Sequence, residues 1–125
     1  MNREKLNELS NKIIGIGIKI HKALGPGFLE SIYEKAMAYE FEREHLKFKQ
    51  QAVIMVNYRD LQLGNQRVDF MVNNDIILEL KTVTEITESH LAQLLSYLKT
   101  ANKKLGLILN FSKKKLEIKR VVNNF

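Results

Sequence analysis

The sequence contains no cysteine, and this absence excludes several kinds of site. Disulfides, cysteine-ligated zinc sites and thiol nucleophiles are all impossible, so a metal ion would need oxygen or histidine ligands. Long apolar runs are also missing, because Gly, Lys or Asn interrupts each one well before the about 18 residues that span a membrane. The N-terminus has no signal-peptide core. We therefore expect a cytoplasmic protein without a membrane segment.

Acidic residues are scarce relative to basic ones. There are 20 Lys and Arg residues but only 14 Asp and Glu residues, which gives a net charge of +6 and an isoelectric point near 9.6. This balance favours polyanions, including nucleic acids, as partners. The 125 residues, 45% of them hydrophobic, suffice for one core. We expect a single domain over residues 1–125.

Apolar periodicity predicts two helices in the N-terminal part of the chain. Apolar residues recur at steps of three and four over about 4–24, which is typical of an amphipathic helix. The segment 25–27, Gly-Pro-Gly, then ends this helix, since proline cannot continue it. A second helix is predicted from Phe28 to about His45.

The remaining sequence alternates between strand and helix patterns. Apolar, partly β-branched runs predict strands, and Thr87 is a suitable N-cap for a third helix that ends near Asn102. Residue types that favour turns occur at 59–60, 64–65 and 73–74. The predicted strands are 52–56, 66–72, 75–81, 105–111 and 116–122. The order ααβββαββ predicts an α/β fold, in which a mixed sheet is flanked by helices.

Two charged residues interrupt the third predicted strand. Glu79 and Lys81 are two positions apart, so strand alternation places both side chains on the same face. Ionisable groups near a sheet interior need partners, and a metal ion and a phosphate would provide them. A similar acidic-x-Lys triplet at 117–119 has no acidic residue in the strand before it, and we interpret it as a solvated strand face.

Asp69, in the preceding strand, distinguishes this pair from a chance match. A two-residue loop at 73–74 would pair Asp69 with Leu78 and turn it away from Glu79. A three-residue loop at 73–75 would place Asp69 opposite Glu79, so that both carboxylates could bind one divalent cation. A bulge would have the same effect. A functional site therefore requires the longer loop or a bulge.

These residues resemble the core of the PD-(D/E)XK nuclease superfamily. Asp69, then Glu79-Leu80-Lys81 after a hairpin, then a helix and a strand follow the order of its restriction-endonuclease-like αβββαβ core. The segment 27–33, Gly-Phe-Leu-Glu-Ser-Ile-Tyr, resembles the signature of the GxxExxY proteins, a family assigned to that superfamily. The resemblance covers about 13–111. Val68 stands where the superfamily's name has proline, and this leaves the carboxylate in place.

The resemblance implies a metal-dependent nuclease that hydrolyses phosphodiester bonds of DNA or RNA with a water activated by Mg²⁺ or Mn²⁺. Asp69, Glu79 and the Leu80 carbonyl would be metal ligands, and Glu30 would bind the metal directly or through water. Lys81 would orient or help to deprotonate the water and would offset phosphate charge. A second interpretation of Glu30 stays open, as a first-turn residue favoured by the helix dipole.

A polar edge on the third predicted helix adds further candidates. His90, Gln93 and Tyr97 lie close together on a helical wheel, offset from the leucine stripe. Gln93 and Tyr97 resemble the Gln-x-x-x-Tyr element of RecB-like nucleases, which makes Gln93 a candidate catalytic residue. His90 and Tyr97 are candidates for substrate binding. The alternative is a structural role, in which these side chains form hydrogen bonds within the fold.

Lysine clusters complete the candidate substrate surface. Lys103 and Lys104, together with 113–115, could bind a phosphate backbone, and the alternative is that they are solvated turns. The expected partner is nucleic acid, with DNA favoured over RNA. Two other functions stay open: a non-catalytic nucleic-acid- or protein-binding module that retains the nuclease-like fold, and a basic interaction protein that forms a homodimer.

Overall fold

The helices and strands follow one another in the predicted order. A computed structural model describes all of residues 1–125. Its helices are α1 Arg3–Leu24, α2 Glu30–Arg43 and α3 Glu88–Ala101, and its strands are β1 Phe48–Tyr58, β2 Leu61–Val72, β3 Ile76–Lys81, β4 Leu105–Asn110 and β5 Glu117–Val122. The order ααβββαββ and the α/β class are confirmed. None of the three helices combines the length and the apolar character needed to cross a membrane.

The five strands form one mixed sheet in the order β1-β2-β3-β4-β5. β3 and β4 are parallel, and all other neighbours are antiparallel. A parallel pair needs a crossover connection, and α3 provides it. The C-terminal ends of β3 and β4 therefore meet at one end of the sheet, which we call the carboxyl end, and the two N-terminal ends meet at the opposite end, the amino end.

Helices cover both faces of this sheet. α1 and α2 pack on one face in a core of 17 buried residues, and α3 packs on the other face in a core of 8. Leu78 and Leu80 belong to the larger core, whereas Ile77 belongs to the smaller one. By alternation, Glu79 and Lys81 share the α3 face with Ile77. The alternation on which the predicted common face rests is therefore present in β3.

The first two strands form a longer hairpin than the sequence predicts. The predicted turn at 64–65 is wrong, because Gly64 and Asn65 lie inside β2 and pair with Val56 and Met55. Gly64, with a φ of 152°, sits where the register of the two strands shifts, a conformation that glycine adopts without strain. Pairing across the hairpin outweighs the local turn preference, so the only turn of this arm is at 59–60.

Candidate active site

The loop between β2 and β3 fixes the register of the site. The ladder of backbone pairs ends with Phe70 opposite Leu78, which leaves three loop residues at 73–75. Both asparagines of the loop have left-handed φ angles, 53° and 57°, which asparagine tolerates better than most residues. This register places Asp69 opposite Glu79. The three-residue loop that a functional site requires is thus confirmed.

Beyond this ladder, carboxylates replace carbonyl groups as hydrogen-bond acceptors. The Asp69 N–H donates to Glu79 Oε2 at 3.0 Å, and the Leu80 N–H donates to Asp69 Oδ2 at 2.7 Å. These two hydrogen bonds hold the carboxyl groups of Asp69 and Glu79 side by side. Leu80 contributes its N–H to this arrangement, and a metal contact through its carbonyl stays a prediction.

Strand alternation breaks at Asp69. Val68 packs in the core beneath α3, whereas Phe70 packs in the core of the opposite face, although residues two apart on a regular strand share a face. Gln51, opposite this position on β1, has a left-handed φ of 51°, which is uncommon for a residue with a side chain. Both strands are therefore irregular at the position of the aspartate. The periodic pattern of the sequence does not indicate where along the strand such an irregularity lies.

Glu79 is a buried carboxyl group with 8% of its surface exposed. Burial and the neighbouring Asp69 carboxylate raise its pKa from 4.5 to about 8, and Lys81 opposes this increase. No three His, Cys, Asp or Glu side chains are arranged to hold a metal ion. Mg²⁺, however, usually takes one or two carboxylates and keeps several waters. A close pair of carboxylates whose negative charge Lys81 offsets only in part fits such a cation.

Glu30 lies in the first turn of α2, close enough to Asp69 and Lys81 to feel their charges. Its side chain is partly buried, and its pKa is raised by burial and by Asp69, while Lys81 lowers it. These influences place Glu30 within electrostatic reach of Asp69 and Lys81. Among the three acidic residues, a direct hydrogen bond joins only Asp69 and Glu79. The structure therefore brings Glu30 near the site without making it part of the bonded pair.

Tyr33 holds the loop that leads into Glu30. Its ring is fully buried and stacks on Phe111 at a centroid distance of 4.3 Å. Its hydroxyl donates to the Gly25 carbonyl at 2.6 Å and accepts from the Phe28 N–H at 3.2 Å. The tyrosine of the segment 27–33 thus anchors the turn from which α2, and with it Glu30, begins.

Asn110 is a residue of the site region that the sequence analysis did not identify. It lies beside Lys81 in the sheet and is fully buried. Its amide group donates to the Val83 carbonyl at 2.8 Å and to Glu117 at 3.0 Å, and its oxygen accepts from the Val83 N–H at 3.1 Å. Asn110 therefore fixes the segment that follows Lys81. Glu117 is a partly buried partner of this network rather than a solvated strand residue.

The sequence also gives no indication of three further residues near the site, Glu34, Gln50 and Gln51. Glu34, one turn after Glu30, accepts from Gln50 Nε2 at 2.6 Å and from Gln51 Nε2 at 2.8 Å. Gln51 Nε2 also lies 3.4 Å from Asp69 Oδ1. The left-handed backbone of Gln51 aims its amide between these two carboxylates. Nothing in the local sequence indicates this contact, because it joins α2 to β1 across the fold.

The α3 edge contributes one residue close to the carboxylates. Burial raises the pKa of Tyr97, and the negative charges of Glu79 and Asp69 raise it further. Its hydroxyl donates to Gln66 Oε1 of β2 at 3.4 Å. Gln93, one turn earlier, is exposed. Tyr97 therefore faces the candidate site, and a substrate contact of Gln93 stays a prediction.

His90 has a structural role at the start of α3. Its ring Nδ1 accepts from the Thr87 N–H at 2.9 Å, and its own N–H donates to Thr87 Oγ1 at 3.4 Å. This reciprocal arrangement is a capping box, which satisfies backbone donors that a helix start leaves free. His90 therefore forms hydrogen bonds within the fold, as the structural alternative predicts.

The two lysine clusters lie at opposite ends of the sheet. Lys103 and Lys104 precede β4, at the amino end, where the backbone of Lys103 accepts from Asn123. The segment 113–115 follows β4, at the carboxyl end, where the carboxylate pair also lies. The sequence grouped the two clusters, but only 113–115 lies at the same end as the site. Substrate contacts of Lys103 and Lys104 would therefore be remote from the carboxylates.

Comparison with known proteins adds independent findings. A model of the PD-(D/E)XK nuclease superfamily matches residues 7–121. Among solved structures, the crystal structure of SSO0001 is similar, with a TM-score of 0.60 and 14% sequence identity. The match covers 76% of this chain and 50% of that one, so this chain spans half the length of that protein. At this identity the likeness concerns the fold alone. A search of curated protein sequences finds no match.

Proposed function

Because the chain belongs to the PD-(D/E)XK nuclease superfamily, we propose that it is a metal-dependent nuclease that hydrolyses phosphodiester bonds. The observation that carries this proposal is the carboxylate pair of Asp69 and Glu79, held together by backbone N–H groups, with Lys81 on the same face. We further propose membership of the GxxExxY proteins. Its support is the segment 27–33, whose tyrosine anchors the turn leading to Glu30.

Asp69 and Glu79, together with the Leu80 carbonyl, would hold the cation, which we propose to be Mg²⁺ or Mn²⁺. PD-(D/E)XK nucleases generally use divalent metals. When bound, such a cation offsets negative charge on a phosphate and lowers the pKa of a water molecule. The raised pKa of Glu79 supports this assignment, because burial and the Asp69 carboxylate together outweigh the opposing charge of Lys81.

The other residues of the site would act on the substrate. The partly buried Lys81 amine would stabilise charge that develops on the phosphate in the transition state, and Asn110 would keep it in place by fixing the segment that follows. Glu30 would bind the cation directly or through water. Tyr97 and Gln93, on the edge of α3, would contact the nucleic-acid backbone.

Nucleic acid is the proposed substrate, with DNA favoured over RNA. The superfamily generally binds nucleic acids, and the net charge of +6 favours a polyanion. Hydrolysis of labelled DNA and RNA with Mg²⁺ or Mn²⁺ tests the proposal. The informative variant is Asp69→Asn, and Asp75→Asn is its matched control. Asp75 belongs to the loop of the same hairpin, and its side chain is hydrogen-bonded only to Asn73.

We expect Asp69→Asn to lower the cleavage rate at least about 100-fold, because it weakens a metal ligand. Asp75→Asn should keep the rate within about threefold, as expected for a change away from the site. Equal rates in the wild type and Asp69→Asn would refute the proposal. A wild type that binds nucleic acid but cleaves none with either cation would instead support the non-catalytic binding module.

A further inference from the structure

A basic groove lies at the carboxyl end of the sheet, outside the carboxylate pair. It is a cavity of about 370 Å³ between the end of α1 and the turn that joins β4 to β5. Its rim carries Lys22, Lys114 and Lys115, and its floor is apolar, with Ile18, Leu116 and Ile118. This volume lies in the range of ligand sites in proteins.

The lysines on this rim lack acidic partners. The chain has two ion pairs, Lys19 with Glu40 and Lys113 with Glu117, and neither involves a rim lysine. The positive charge of Lys22, Lys114 and Lys115 is therefore not neutralised within the protein. Three uncompensated cations around an apolar floor suit a ligand with both anionic and apolar parts, such as the phosphates and base faces of a nucleic-acid strand.

A short series of contacts connects this groove to the candidate active site. The Phe111 N–H donates to the Lys81 carbonyl at 2.9 Å. The Phe111 ring lies 6.0 Å from the ring of His21, and His21 Nε2 lies 2.8 Å from the Lys113 carbonyl. Phe111 and His21 are both buried. The basic turn is thus fixed relative to Lys81 by buried side chains.

The spacing suits one continuous strand of nucleic acid. β3 and β5 are separated by one strand, which corresponds to about 10 Å at the usual strand spacing. Because Leu116 and Ile118 pack against the core under α1 and α2, the groove opens on the opposite face from Glu79 and Lys81, and one strand that reaches both sites would cross the carboxyl end of the sheet.

We propose that the groove formed by Lys22, Lys114 and Lys115 binds the phosphate backbone of the nucleic acid whose scissile phosphate is at the carboxylate pair. This inference rests on the proposed nuclease function for the substrate class. In this proposal the groove holds the substrate, and Lys103 and Lys104 do not contact the phosphate backbone. Those two lysines lie at the amino end of β4, about 20 Å away along a six-residue strand.

The test compares two charge reversals of equal size, Lys114→Glu with Lys115→Glu and Lys103→Glu with Lys104→Glu. Binding of a labelled DNA duplex of about 20 base pairs is measured by fluorescence anisotropy over a range of salt concentrations. EDTA excludes metal and hydrolysis, and thermal unfolding checks that both variants are folded. A single-stranded RNA of similar length distinguishes RNA from DNA as the source of the phosphates.

We expect the reversal at 114–115 to weaken binding about tenfold or more and to lower the slope of log K against log salt by about two, one for each lost phosphate contact. The reversal at 103–104 should change affinity less than about threefold. Equal losses in both variants, no loss at 114–115, or no binding by the wild type would overturn the proposal. Binding in this assay, together with no cleavage by the wild type in the separate assay with Mg²⁺ or Mn²⁺, would refute the nuclease function and leave the proposed surface intact. Cleavage by the wild type, together with binding that the reversal at 114–115 leaves unchanged, would refute the proposed surface and leave the nuclease function intact.

Discussion

The β2–β3 hairpin has two halves that are built in opposite ways. In the closed half, next to the loop, three backbone pairs join six buried apolar residues, Phe70, Met71, Val72, Ile76, Ile77 and Leu78. In the open half, beyond Phe70 and Leu78, the backbone N–H groups of Asp69 and Leu80 donate to carboxylates. One short hairpin thus contains both a regular apolar ladder and a buried pair of acids.

The closed half of the hairpin stabilises the fold, whereas the open half forms the candidate site. Burial of apolar side chains in the closed half stabilises the fold. In the open half, burial and a like charge raise the pKa of Glu79 to about 8, which shows that its ionised form is costly there. Such costs are typical of sites that bind or react, because the same group would be replaced by an apolar one if stability alone mattered.

The largest effect on stability is expected in the closed half. Leu78→Ala should lower the free energy of unfolding by about 2 to 5 kcal/mol, because it leaves a cavity under α1 and α2. Urea unfolding measures this loss. Val122→Ala, at a half-exposed position of β5, is the control and should change stability by less than about 0.5 kcal/mol. Equal effects of the two changes would contradict the description of the closed half as core.

In the open half, by contrast, a substitution is expected to raise the free energy of unfolding. The folded-state pKa of Glu79, about 8, lies above its ordinary value of 4.5, so the folded chain binds more protons between these values. Its stability should therefore fall as the pH rises from about 4.5 to 8. Glu79→Gln keeps an oxygen acceptor for the Asp69 N–H and removes the charge. It should raise the free energy of unfolding at pH 8 by about 1 to 4 kcal/mol and abolish cleavage.

Unfolding measured near pH 4 and near pH 8 tests this sign. The gain from Glu79→Gln should be present at the higher pH and absent at the lower one. A variant that is less stable than the wild type at pH 8 would show that the ionised carboxylate stabilises the fold, contrary to the account of the open half.

A smaller effect on stability is expected at Gln51, which borders the open half. Gln51→Gly relieves the left-handed backbone but removes the amide between Glu34 and Asp69. We expect stability to change by less than about 1 kcal/mol, while the affinity for Mg²⁺ falls about tenfold, as for other residues that orient metal ligands. Gln50→Gly, which removes only the contact to Glu34, is the control. Equal Mg²⁺ affinities of the two variants would contradict a positioning role of Gln51.

Much of the fold follows from local patterns in the sequence. Helical periodicity and β-branched runs predict the element order, and the two asparagines favour the loop that pairs Asp69 with Glu79. The predicted turn at 64–65 is wrong because pairing across a long hairpin outweighs the local preference of these residues for a turn. Gln51 and Asn110 were missed because their partners lie far away in the sequence. Composition groups the lysines at 103–104 with those at 113–115, because it does not show at which end of the sheet each cluster lies.

The central claim is that Asp69 and Glu79 together hold one divalent cation. Calorimetric titration with Mg²⁺ near pH 8, where more of the Glu79 carboxyl is ionised, measures this directly on the wild type, Asp69→Asn and Asp75→Asn. The account predicts one cation bound by the wild type and by Asp75→Asn, and none bound by Asp69→Asn. Equal binding of Mg²⁺ by the wild type and Asp69→Asn would contradict it.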